Sequence, residues 1–319
     1  MPQNQQPPGL HDVEICDAHH HLYDTEVRRY SIDDLRRDAA GLPVVRSVYV
    51  ECGQHYLPDG PAEFRPTGET AWAASIAGGG PVAGIVGYAD LSAPNIAAIL
   101  SAHCEAGLGL FRGIRQGAAW DADPAIAMSH VTTRPGMAAE ASYARGVAAL
   151  AARGLICDMY VYFHQLAEVA ALARRVPEAT IVLNHLGGLL GVASYASAAV
   201  NVRQVWRAGL PVVAACPNVL VKVGGLGRPL AGTGWEKAAV QPAAAEVAAY
   251  WRADVLWAIG LFGPSRCIFE SNFPVDRKSF SYRTCWQALG EIVSEFSPGE
   301  RRAMFHDNAV RVYRLGDQP

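Results

Sequence analysis

The stretch "EICDAHHHL" (residues 14–22) runs an apolar, strand-forming entry into three consecutive histidines. A strand buried on both faces reads as apolar nearly throughout. Polar residues confined to its last positions therefore mark a strand that ends at a working edge. Seven further runs of this type follow: "VVRSVYVECG" (44–53), "PVAGIVGYADL" (81–91), "LFRGIRQG" (110–117), "LICDMYVYF" (155–163), "TIVLNHLGG" (180–188), "NVLVKVGGL" (218–226) and "RCIFESNFPV" (266–275). Between them lie Ala-, Leu- and Arg-rich segments of helical period, such as "QLAEVAALARRV" and "AAAEVAAYWRADVLWAIG". Eightfold strand–helix alternation predicts parallel strands joined by crossover helices. Count and length fit an α/β fold, a closed (β/α)8 TIM barrel in a single domain over residues 13–319. A doubly wound open sheet competes, but the first strand–helix turn has no Gly-rich phosphate loop.

Composition narrows the function. The chain has 319 residues, half of them hydrophobic, and a net charge of −3 with no basic run, which argues against nucleic acid as a partner. Residues 1–12 open with the polar, Pro-rich "MPQNQQPPGL" and read as a flexible arm without the apolar core of a signal peptide. No apolar stretch is long enough to span a membrane. The seven cysteines are widely spaced, odd in number and free of any CxxC pair, which predicts reduced thiols in a cytoplasmic protein. A small-molecule substrate is the expected partner, and the sequence is compatible with a homo-oligomer.

In a barrel the C-terminal strand ends converge on one mouth. The first strand would bring His19 and His21 there, the second Glu51, the fourth Arg115, the sixth Asn184 and His185. The seventh would bring Lys222, and the eighth Glu270, Asn272 and, just beyond, Asp276. His19 and His21 are two apart and so share a face, a spacing that suits joint metal ligation; a hydrogen-bonded cluster without metal is the plainer reading. Asp17 has the same parity, whereas His20 points the other way. His185 can ligate metal, polarise a carbonyl or move a proton, and the glycines after it permit close approach. Arg112 and Arg115 fall on opposite faces; Arg115, nearer the end, is the candidate clamp for a substrate anion. Lys222 in an apolar run needs a partner, and Glu270 on the neighbouring strand is the natural one. His164 is a weaker candidate, while His103 and His306 read as structural. Tyr160, among other strand-end aromatics, could stack on a substrate ring.

Taken in order, "DAHHHLYD", "GIRQ", "LNHLGG", "VKVGGL", "RCIFESNFPVD" and "FHDNAVRVYRL" resemble the amidohydrolase-related family. The resemblance is to the branch holding 2-pyrone-4,6-dicarboxylate lactonase and sugar lactonases, beside aromatic-acid decarboxylases. It covers almost the whole chain. It implies a (β/α)8 barrel, a metal or catalytic set of His19, His21 and His185, and Arg115 among the substrate-anion contacts. It implies lactone hydrolysis either on one divalent metal, Zn or Mn, or without metal. No lysine ends the fourth strand, so a carbamylated binuclear site is not expected. One departure stands out. Relatives end the eighth strand in a "GSDWP"-like motif whose Asp holds or deprotonates the water; here "ESNFP" places Asn272 at that position. An amide orients water but takes no proton at neutral pH. Glu270 is the expected replacement base, with Asp276 as the other nearby carboxylate. The leading expectation is hydrolysis of a lactone, or a related ester or amide, of a small anionic organic acid. The alternatives are metal-dependent decarboxylation of an aromatic or unsaturated acid, and a non-catalytic ligand-binding barrel.

Overall fold

The computed structural model describes residues 10, 13–78, 80–126 and 133–316. The expected arm of residues 1–12 lies outside them, apart from Leu10, which is buried in the core. Eight parallel strands pair in sequence order: β1 (Ile15–His20), β2 (Val44–Val50), β3 (Val82–Gly87), β4 (Phe111–Arg115), β5 (Ile156–Met159), β6 (Ile181–Leu183), β7 (Val219–Val223) and β8 (Cys267–Phe269). Each is followed by a helix: α1 (Ile32–Ala39), α2 (Thr67–Ala77), α3 (Ile96–Ala106), α4 (Ala141–Ala151), α5 (Leu166–Arg175), α6 (Ala199–Ala214), α7 (Ala244–Phe262) and α8 (Tyr282–Ile292). This is the (β/α)8 barrel read from the sequence. All eight strands fall inside the eight apolar runs.

Two apolar layers hold it together. Cys16, Ala18, Val48, Val50, Val86, Ile156, Val182, Leu220 and Ile268 form one, with Val312, Tyr313 and Leu315 of the C-terminal segment. In the other, strand residues such as Ile15, Ile85, Leu183, Val221 and Phe269 pack with helix residues such as Leu35, Ile99, Val147, Val169, Trp206, Val255 and Leu289. Each large apolar side chain among them contributes about 1.5–3 kcal/mol on full burial.

The seam between β8 and β1 closes just past the strand ends. Asn272 N donates to His19 O (2.8 Å) and His21 N to Phe273 O (2.7 Å). Deeper in the seam a side chain replaces the ladder. The Asp17 carboxylate accepts from Ser271 N (2.9 Å), Ser271 Oγ (2.6 Å) and Tyr282 OH (2.9 Å). Asp17 therefore faces away from the histidines whose parity it shares. The cause is a register irregularity in β1 between Asp17 and His20. An extra residue of this kind breaks the two-residue alternation. A two-residue antiparallel pair, Tyr23–Asp24 with Arg29–Tyr30, forms a lip hairpin directly after β1.

Candidate active site

The strand ends converge as the barrel reading required. His19, His21, Glu51, Arg115, Asn184, His185, Lys222, Glu270, Asn272 and Asp276 all sit at one end of the barrel, and all but Arg115 are buried. His19 Nε2 lies 3.2 Å from His21 Nε2 and 3.2 Å from Arg115 Nη1. His21 is fixed by its Nδ1, which donates to Val50 O at 2.7 Å. His20 turns outward, as expected, to Ser47 Oγ (2.9 Å). Burial drives His19, His21 and His185 well below the usual histidine range, with Lys222, Arg115 and Arg228 respectively the leading neighbouring cations that add to it. All three are neutral imidazoles at neutral pH, the form that ligates metal or accepts a proton.

Glu270 is the hub. Its Oε1 accepts from His185 Nδ1 (2.6 Å) and from His185 N (3.2 Å). Both bonds depend on the backbone at 185–188, where all four residues of "HLGG" have positive φ. At Gly188 a Cβ would stand 1.9 Å from Val161 O, so only glycine fits. A Cβ on Gly224 would likewise stand 2.3 Å from Glu270 Cγ. The glycines that the sequence placed beside His185 and Lys222 thus make room for neighbouring chain, not for substrate. Burial pushes the Glu270 carboxyl up to about 8. Its Oε2 lies 3.0 Å from His19 Nδ1, yet no group among the described residues donates a hydrogen bond to it.

That orphaned oxygen tests the metal expectation. Ligand atoms of His19, His185 and Glu270 lie within 4.8 Å of one another, all buried. Two neutral imidazoles and a carboxylate short of a donor form a donor set that fits one divalent cation. Glu270 takes the place in this cluster that the sequence reading gave to His21.

Lys222 corrects a second expectation. Its ion-pair partner is Asp158 on β5 (2.9 Å), not Glu270. Asp158 also accepts from Asn184 Nδ2 (2.5 Å) and Tyr313 OH (2.7 Å), and Lys222 Nζ lies 3.4 Å from His19 Nδ1. Neighbouring strands touch through their backbones, but inward side chains also meet across the barrel, which sequence adjacency does not reveal. Asp158 was legible as a lone acid inside "LICDMYVYF", the same signal that singled out Lys222.

Arg115 points inward, as expected, while Arg112 at the other end of β4 donates to Gly109 O. The Arg115 guanidinium is largely committed. Its Nε donates to Glu51 Oε1 (2.7 Å) and its Nη2 to Glu51 O (2.5 Å). Asn272, at positive φ, donates from Nδ2 to Asp276 Oδ1 (2.7 Å), and Gly227 N donates to Asp276 Oδ2 (2.7 Å). Burial raises Asp276 to about 7. Asp276 thus orients Asn272 and does not itself line the cavity.

The cavity above these groups has a volume of about 370 Å3 and is walled by His21, His185, Asn272, Arg115, Glu51, Tyr160 and Arg228, with Tyr23, Leu230 and Val275. Arg228 escaped the sequence reading. It lies in the Gly-rich segment after β7, donates to Gly225 O (3.0 Å) and Tyr160 OH (3.0 Å), and is 6 % exposed. No carboxylate among the described residues pairs with it. His164 pairs with Asp121 (2.9 Å), and His103 with Thr70 and Tyr88 O, all outside the cavity wall.

The model of one protein family, described as amidohydrolase, matches residues 16–315. The chain belongs to the amidohydrolase family. Among relatives of this amidohydrolase, an uncharacterised protein of Sinorhizobium fredii is 32% identical over 96% of this chain and 100% of its own. An L-fucono-1,5-lactonase of Burkholderia multivorans is 28% identical over 94% of this chain and 95% of its own. A crystal structure of an amidohydrolase from Burkholderia multivorans with bound zinc superimposes with a TM-score of 0.75 at 25% identity, covering 95% of this chain and all of that one. As a member of that family the chain is a hydrolase of the amidohydrolase type. Among the described residues no helix is long and apolar enough to cross a membrane.

Proposed function

We propose that this amidohydrolase opens the ring of a small lactone that bears a carboxylate, by attack of a water held at the barrel mouth. The observation that carries the reading is the floor of the cavity. His185 faces it with Glu270 2.6 Å behind, and Arg228 flanks it buried and without a counterion among the described residues. A buried guanidinium lacking a protein anion is costly unless a ligand anion completes it. Arg228 and Tyr160 OH supply donors for the substrate carboxylate, and Arg115, braced by Glu51, directs cationic charge at the developing oxyanion. With Nδ1 committed to Glu270, Nε2 is the atom at which His185 takes the proton of the attacking water. Glu270, whose carboxyl burial raises to about 8, accepts the Nδ1 hydrogen bond and in its ionised form stabilises the charge that His185 gains. Asn272, oriented by Asp276, accepts or donates one hydrogen bond to that water. The proton then returns to the ring-opened alkoxide.

His19, His185 and Glu270 would hold a single Zn or Mn ion, which when bound would polarise the carbonyl and acidify the water. Metal and proton relay draw on the same residues, so metal content paired with turnover before and after chelation separates them. Stoichiometric metal with chelator-sensitive turnover assigns the three residues as ligands; chelator-resistant turnover assigns them as the relay.

The function itself is tested on a panel of sugar lactones and pyrone carboxylates, following proton release and the ring-opened acid. Turnover that Arg228→Met weakens only for carboxylate-bearing lactones is expected. Carbon dioxide as product would replace this reading by decarboxylation, and binding without turnover of any ester would replace it by a non-catalytic barrel.

A further inference from the structure

Beside the mouth lies a second, larger cavity of about 690 Å3. Tyr23, Arg28, Pro229, Leu230 and Val275 wall both, so a ligand anchored in the mouth can extend into it. Two segments far apart in sequence face each other across it. The lip hairpin contributes Arg28 and Arg29, and the turn Asp276–Lys278 contributes Arg277 and Lys278. Among the described residues no Asp or Glu lines it, in a chain whose net charge is −3.

Two of these cations rest on aromatic rings. The Arg28 guanidinium lies 4.8 Å from the Tyr23 ring centre and that of Arg277 5.7 Å from the Tyr30 ring centre. Stacking on an aromatic face fixes a guanidinium plane without consuming its N–H edges. Arg277 Nε has Asp38 at 3.9 Å. Among the described residues no carboxylate comes within 4 Å of Arg28, Arg29 or Lys278. Like charges gathered from two segments repel one another, and a ligand oxyanion relieves that repulsion.

We propose that this second cavity is an oxyanion subsite, so that the substrate carries a phosphate or carboxylate on a tail reaching out of the mouth. The proposal rests on the lactonase reading for which molecule bears the anion; the subsite itself stands on the cavity and its cations.

The test uses δ-lactones with a neutral pentyl tail or with a tail of equal length ending in carboxylate or phosphate. The wild-type protein and Arg29→Ala/Lys278→Ala are compared. The expected result is a kcat/KM about tenfold or more higher for the charged tails, through KM, shrinking with added salt and lost in the double variant. The better of the two tails identifies the anion. Calorimetry with pentyl phosphate and with inorganic phosphate runs alongside, because it needs no turnover. About tenfold weaker binding of pentyl phosphate by the double variant is expected. If no lactone reacts while this binding loss persists, the subsite stands and the lactonase reading falls. Equal binding by both proteins, or no preference for charged tails, overturns the subsite. Inorganic phosphate binding as well as pentyl phosphate, without a tail preference, overturns the assignment to substrate.

Discussion

Glu270→Gln separates catalysis from stability at a single atom pair. The carboxylate accepts a 2.6 Å bond from His185 and stands 3.0 Å from His19, whether it serves a relay or a metal. The amide keeps size and one acceptor oxygen but loses the charge and the proton affinity. A positioned acid–base partner contributes about 10²–10⁴ in rate, so kcat/KM should fall by that factor, about 3–5 kcal/mol in the barrier. Stability should move the other way. Burial raises the carboxyl from 4.5 to about 8, so between those values the folded state holds a proton that the unfolded state has released. Stability therefore declines as pH rises through that window, by about 1.4 kcal/mol for each pH unit crossed, and is regained as pH falls below it. Gln does not titrate. At pH 5 the two proteins should melt alike; at pH 9 the variant should melt about 5 °C or more above the wild type. The assays are steady-state turnover on the best lactone and calorimetric melting at pH 5, 7 and 9. A variant keeping more than half the wild-type kcat/KM, or a melting difference that is flat across pH, would refute the reasoning.

Three further outcomes are expected. Asp158→Asn removes the 2.9 Å partner of fully buried Lys222 and should cost about 3–5 kcal/mol in denaturant unfolding, most of it recovered in Asp158→Asn/Lys222→Met. Asn272→Asp sets a second carboxyl 2.7 Å from Asp276 Oδ1, a group already raised to about 7. Two carboxylates so close cannot both ionise, so this variant should melt like the wild type at pH 5 and below it at pH 9. Arg228→Met should raise KM for carboxylate-bearing lactones by about 10–100-fold, with no loss of melting temperature, because it removes a buried charge without a protein counterion.

The sequence alone determined the barrel, since alternating buried strands and amphipathic helices follow from local chemistry. It also determined the mouth: His19, His21, Glu51, Arg115, His185, Glu270 and Asn272 are polar residues at the ends of apolar runs, and a closed barrel leaves them one place to meet. Pairing was another matter. Alternation predicts faces only while the strand is regular, and the irregularity in β1 turned Asp17 to the seam while leaving His19 and His21 inside. Adjacency along the sheet suggested Lys222 with Glu270, yet inward side chains reach across the barrel, and Asp158 took the lysine while Glu270 took His185. Arg228 sits in a Gly-rich loop whose path no periodicity encodes, and only the folded loop places its guanidinium against the cavity. Local pattern assigns residues to elements and ends; which charge meets which is decided by three-dimensional closure of the barrel, because electrostatic partners are chosen by distance in space and not along the chain.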